Sequence, residues 1–151
     1  MKERVKAAGG KVDGALRFSI QWNDGAHNPN DFDAHCVEPD QNRIYFAAKN
    51  SLRSDGSLDV DIITPLRNTP AVENITWPST QKMPEGDYAF FVNCFSDNGG
   101  RSGFSAELEY GGQIYEFAHA KPLRSGESVF VAQVSYSEND GFQLIKSIPD
   151  K

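Results

Sequence analysis

Clustered cations, long apolar runs and paired cysteines are all missing from this chain, and each absence removes a class of function. The 15 Lys and Arg are scattered among 21 Asp and Glu, for a formal net charge of −6. Neutralising nucleic-acid phosphates needs cations gathered on one face, so a nucleic-acid partner is excluded. No apolar stretch approaches the roughly 18–20 residues that cross a bilayer as a helix, and no membrane insertion is expected. The charged opening Met1-Lys2-Glu3-Arg4-Val5-Lys6 lacks the apolar centre of a signal peptide. Two cysteines, Cys36 and Cys94, cannot build a disulfide-dense scaffold. Both lie in apolar strand contexts, which leaves buried thiols or one bridge between facing strands.

Catalytic signatures are scarce as well. There is no GxSxG elbow, no HExxH run and no CxxC pair. Gly99-Gly100-Arg101-Ser102-Gly103 falls between two strands and not ahead of a helix, so it is a strand connection, not a phosphate cradle. Helical character is confined to the opening residues and stops at Gly9-Gly10.

What the chain has in quantity is strand chemistry, cut at short intervals by turn residues. The expected strands are Ala15–Trp22, Asp31–Val37, Ile44–Ala47, Ser57–Ile62, Val72–Trp77, Gly86–Phe95, Ser102–Tyr110, Gln113–Phe117, Ser128–Tyr136 and Phe142–Ser147. Gly111-Gly112 and Glu138-Asn139-Asp140-Gly141 mark hairpins. About ten short strands without alternating helices imply an all-β fold, an antiparallel β-sandwich of jelly-roll or immunoglobulin-like type. Residues 15–148 form the module, and residues 1–14 read as a linker or the tail of a preceding region. Phe18, Ile20, Phe90, Val92, Phe104, Phe130 and Val134 are the expected core. The polar loops 23–30, 49–56 and 97–101 are the rims.

The stretch Asn30-Asp31-Phe32-Asp33-Ala34-His35-Cys36-Val37 carries the most chemistry. As a strand it turns Phe32, Ala34 and Cys36 one way and Asp31, Asp33 and His35 the other, at about 7 Å from i to i+2. Leu58-Asp59-Val60-Asp61-Ile62 repeats the device, with both aspartates expected on one face. A shared face would gather carboxylates that need solvent, cationic partners or a metal. Calcium takes oxygen ligands of the kind Asp31, Asp33, Asp59, Asp61, Glu73 and Asn74 supply. The alternative is a solvated acidic face tied down by turn amides and by Arg43, Arg53 or Arg101.

Other site chemistries fit less of the pattern. His35 with His27 or His119 could offer nitrogens to zinc, though the spacing matches no zinc signature. Serial carboxylates could act as the acid and base of a glycosidase. Trp77, ahead of Pro78, is expected to be an exposed ring on which a sugar could stack, whereas Trp22 ends an alternating apolar strand and belongs to the core.

In their order, several blocks resemble the YfaP-like family of uncharacterised bacterial β-sandwich proteins. They are Trp22 with Asp24, Asp31-Phe32-Asp33-Ala34-His35 with Glu38-Pro39, and Ile44-Tyr45-Phe46. They continue with Gly56-Ser57-Leu58-Asp59-Val60-Asp61, Glu73-Asn74-Ile75 and Pro84-Glu85-Gly86-Asp87-Tyr88. The resemblance covers about residues 16–117. It departs at Cys36, where the family has an apolar residue, and at Asn93-Cys94. It implies an accessory sandwich of a larger, often extracytoplasmic protein, with no established reaction; the absent signal peptide keeps the cytoplasm as the alternative. The expected function is therefore a non-catalytic binding or interaction module, calcium-stabilised through the acidic strands. It would have a protein or glycan partner and an oligomeric state that the sequence leaves open. A carbohydrate-binding module and a metal-dependent hydrolase are the alternatives.

Overall fold

Alternating side chains pair the strands into two five-stranded antiparallel sheets, face to face, in a computed structural model that describes residues 1–149. A short helix, α1 (Lys2–Ala7), precedes β1 (Leu16–Trp22), β2 (Asp31–Val37), β3 (Arg43–Ile44), β4 (Ser57–Val60) and β5 (Ala71–Trp77). There follow β6 (Gly86–Ser96), β7 (Phe104–Tyr110), β8 (Gln113–His119), β9 (Ser128–Ser137) and β10 (Gly141–Ser147). One sheet runs β4-β5-β1-β7-β8 and the other β10-β9-β6-β2-β3. The expected all-β sandwich is the fold observed.

Leu16, Phe18, Ile20 and Trp22 of β1 face Phe32, Ala34 and Cys36 of β2 and Tyr88, Phe90 and Val92 of β6 across one core. Phe18 packs on Phe90 with ring centroids 4.8 Å apart, and Trp22 on Phe32 at 5.4 Å. Phe130 is a correction. The β6–β9 register shifts between Phe90 and Phe91, so Phe130 turns outward, pairs edge-on with Phe91 and lies beneath Lys146. A bulge changes which face the following side chains take.

Cys36 and Cys94 are both free and buried. On the β2–β6 ladder Cys36 sits opposite Phe90 and Cys94 opposite Phe32, four register steps apart. At about 3.3 Å per step this exceeds the span of a disulfide.

Residues 1–14, expected as a linker or tail, fold back onto the outer face of the first sheet. Val5 of α1 is buried against Val60 and Val72. Beside it Arg17, 1% exposed, is held by Glu107 and Glu109 at 3.1 and 3.0 Å, and Lys2 closes the network on Glu109 at 3.0 Å. Strand β3 is also shorter than expected: the chain leaves the ladder at Ile44, and Tyr45 makes an isolated bridge to Ala48.

Candidate functional site

Strand β2 pairs along its length with β6, but β3 covers its other edge only at Cys36 and Val37. The amides nearer its start need another partner. Glu73 of β5 supplies one across the sandwich: Ala34 N–H donates to Glu73 Oε1 at 2.9 Å. Glu73 occupies an inward position between Ala71 and Ile75, fully buried, where the pattern calls for an apolar side chain. A carboxylate there is tolerated only with partners.

The partners it faces are acids. Asp31 and Asp33 stand on the outward face of β2, 7% and 2% exposed. Carboxylate oxygens of Asp31, Asp33 and Glu73 all lie within 4.8 Å of one another. Asp61 lines the same pocket as Asp31 and Asp33, its Oδ2 3.4 Å from the Lys49 ammonium. Asp31 Oδ1, Asp33 Oδ2 and Glu73 Oε2 are buried without a hydrogen-bond partner among the described residues.

The electrostatics follow from this crowding. Burial, then the Asp61 charge, pushes Asp31 up to about 6. Burial, then Asp31 and Asp61, pushes Asp33 up to about 7. Burial lifts Glu73 well above the usual carboxylate range, and the neighbouring Asp61 raises it further.

A bulge divides the expected ligand set. Between Leu58 and Val60 the β4–β5 register shifts. Leu58 therefore enters the main core while Val60 goes under α1. Asp59 is left on the outer face, accepting from Lys11 N–H at 2.9 Å and from Asn74 Nδ2 at 2.8 Å. Asn74 Oδ1 accepts from Ser19 Oγ. Asp59 and Asn74 thus belong to the network around Arg17, and the expectation that Asp59 and Asp61 share a face is corrected. Asp31, Asp33, Asp61 and Glu73 come together.

His35 lies on the face of Asp33 but outside the acidic group. Its Nδ1 is 3.0 Å from Arg43 Nη1, a donor only, so this nitrogen accepts and the ring is neutral. Burial, helped by Arg43, lowers it to about 4. Tyr45 packs over the ring, and Nε2 has no partner among the described residues. His27 contacts Asn23, and His119 stacks on Phe104, so neither of the histidines considered for zinc adjoins the site.

Trp77 is the other correction. It is fully buried, its Nε1–H donating to Glu38 Oε2 at 3.1 Å and Ser54 Oγ at 3.2 Å, with Tyr88 and Phe90 against its ring. A ring so enclosed has no face for a sugar.

Sequence reasoning missed the mouth of the site. A pocket of about 210 Å³ opens above Asp31, Asp33 and Asp61, walled by Phe46, Ile63 and Phe95. These three side chains are 39%, 67% and 56% exposed, and Phe46 meets Phe95 edge-on at 5.2 Å. The readable sign was Phe95, an aromatic in the outward phase of β6 directly after buried Cys94.

No protein-family model matches this sequence, and no curated protein matches it. Among solved structures it is similar to SAV2460, a protein of unknown function, with a TM-score of 0.62 and 9% identity over 90% of this chain and 88% of that one. It is also similar to SCO6318 from Streptomyces coelicolor A3(2), a homologue of the telluride resistance protein TerD. There the TM-score is 0.59, with 13% identity over 91% of each chain. At these identities the likeness establishes the fold.

Proposed function

We propose that this chain is a non-catalytic β-sandwich module that binds one divalent cation, calcium, between its two sheets through Asp31, Asp33, Asp61 and Glu73. One observation carries the reading: buried Asp31, Asp33 and Glu73 bring carboxylate oxygens within 4.8 Å of one another, and each has an oxygen without a hydrogen-bond partner among the described residues. Leaving such acceptors unpaired is costly, and a hard cation would satisfy them together. An all-oxygen set with no thiol and no imidazole favours calcium over zinc. The ion would tie β2 of one sheet to β5 of the other and to the chain after β4, so binding would stabilise the sandwich. The resemblance to YfaP-like sandwiches supports the accessory-module part of the reading.

Melting the metal-free protein with and without calcium tests this. At calcium about 100-fold above its Kd, Tm should rise by roughly 5–10 °C, and a chelator should reverse the rise. Elemental analysis of the purified protein should find calcium near one equivalent. An unchanged Tm in millimolar calcium counts against the proposal. In the same preparations the hydrolase alternative calls for turnover of ester or glycoside substrates that Asp33→Asn abolishes.

A further inference from the structure

We infer that β8 is an open sheet edge to which a partner protein adds an extended strand, with a Lys or Arg opposite Glu116. This edge is separated from β5 by β1 and β7, and needs no ion. Each sheet ends in two edge strands, and three of the four carry a feature that deters pairing with another chain. Strand β3 has two residues. Strands β4 and β10 are broken by register shifts, and β10 places Lys146 at its shift. Shortness, bulges and edge lysines are the means by which natural sheets avoid strand addition. Strand β8 has none of them: Gln113–His119 pairs with β7 residue for residue, without a bulge, Pro, Lys or Arg. Its free side presents the backbone N–H and C=O groups on which an extended peptide adds as a further strand.

Charge complementarity gives the chemistry of that peptide. Glu107 of β7 and Glu116 of β8 stand directly opposite each other on the outer face, and like charges so placed destabilise a sheet. Arg17 holds Glu107 from the β1 side but is shared with Glu109, and Glu116 has no ion-pair partner among the described residues. Beside the pair lies a hollow of about 90 Å³, lined in part by Gln21, Ser105, Glu107 and Glu116. Gln21 is 7% exposed; its Nε2 donates to Asp24 at 2.9 Å, and its Oε1 has no partner among the described residues. Acceptors gathered in this way call for a cationic donor. A strand added to β8 lies about 4.8 Å away, within reach of Glu116 for a Lys or Arg side chain. On the opposite face Tyr115 is half-buried and Phe117 buried, so the residues flanking the basic one are apolar.

Amide NMR of the intact chain, titrated with acetyl-Ser-Thr-Val-Lys-Val-Thr-Ser-amide, tests the inference. Shift changes should saturate and centre on Gln113–His119. Replacing the peptide's Lys by Glu should weaken binding about tenfold or more, since like charges then meet. In Glu116→Lys the preference between the two peptides should reverse. Glu116 is exposed, so this variant should keep the fold; Glu116→Gln, with a narrowed preference, is the second variant. Equal binding of both peptides, shift changes centred away from β8, or no saturable change up to millimolar peptide would overturn the inference. Dimers of the peptide-free chain in sedimentation, with β8 amides protected from exchange, would also overturn it by making a second copy the occupant.

Discussion

Asp33 sits where the tension of the site is greatest, nearly sealed from solvent and facing both Asp31 and Asp61. Its carboxyl, raised to about 7, holds a proton far more tightly in the folded chain than in the unfolded one, and Asp31, raised to about 6, does the same. From about pH 4 to pH 7 the folded state therefore carries the extra protons, and stability falls as pH rises. The metal-free protein should melt on the order of 5 °C lower at pH 8 than at pH 5, read by circular dichroism. Calcium should narrow or reverse that difference, because the ion takes the deprotonated acids. Asp33→Asn, isosteric and uncharged, should flatten the pH dependence of the metal-free melt. A steeper dependence in the variant would contradict the assignment of the raised acids.

At the scale of elements, the β4 bulge and the docked helix decide what belongs to the site. Because the bulge leaves Asp59 on the outer face and parts it from Asp61, Asp59→Asn should leave calcium binding unchanged while Asp61→Asn weakens it. Equal losses in the two would show that both face the ion. Trp77→Ala should cost about 3–5 kcal/mol of stability in a urea melt, as removal of a large buried ring does. Strand positions were legible because period-2 alternation and turn residues agree along most of the chain. Phe32, Ala34 and Cys36 read as inward and are so, and the outward set Asp31, Asp33 and His35 is equally visible. The bulges in β4 and β9 were not legible, since one extra residue reverses the phase without altering composition. Trp77 misled for a related reason: Pro78 marks a strand end, and only the fold shows that Glu38 and Ser54 close over the indole. The mouth residue Ile63 belongs to the connection after β4, which periodicity does not describe.

For the whole molecule, the proposed ion lies where two sheets with otherwise separate hydrogen-bond ladders approach each other, at β2 and β5. Its binding should couple the sheets, whereas the network of Arg17, Glu107 and Glu109 lies on the outer face of one sheet alone. Deleting residues 1–9 should therefore lower Tm by exposing Val60 and Val72, yet leave calcium affinity within about twofold, as additivity of distant sites requires. The most direct test of the central claim is calorimetric titration of calcium into the metal-free chain at pH 7.5, beside Asp33→Asn. The account predicts one saturable site in the native chain and a loss of at least tenfold in the variant. Equal isotherms for the two, or no heat from either up to millimolar calcium, would contradict it.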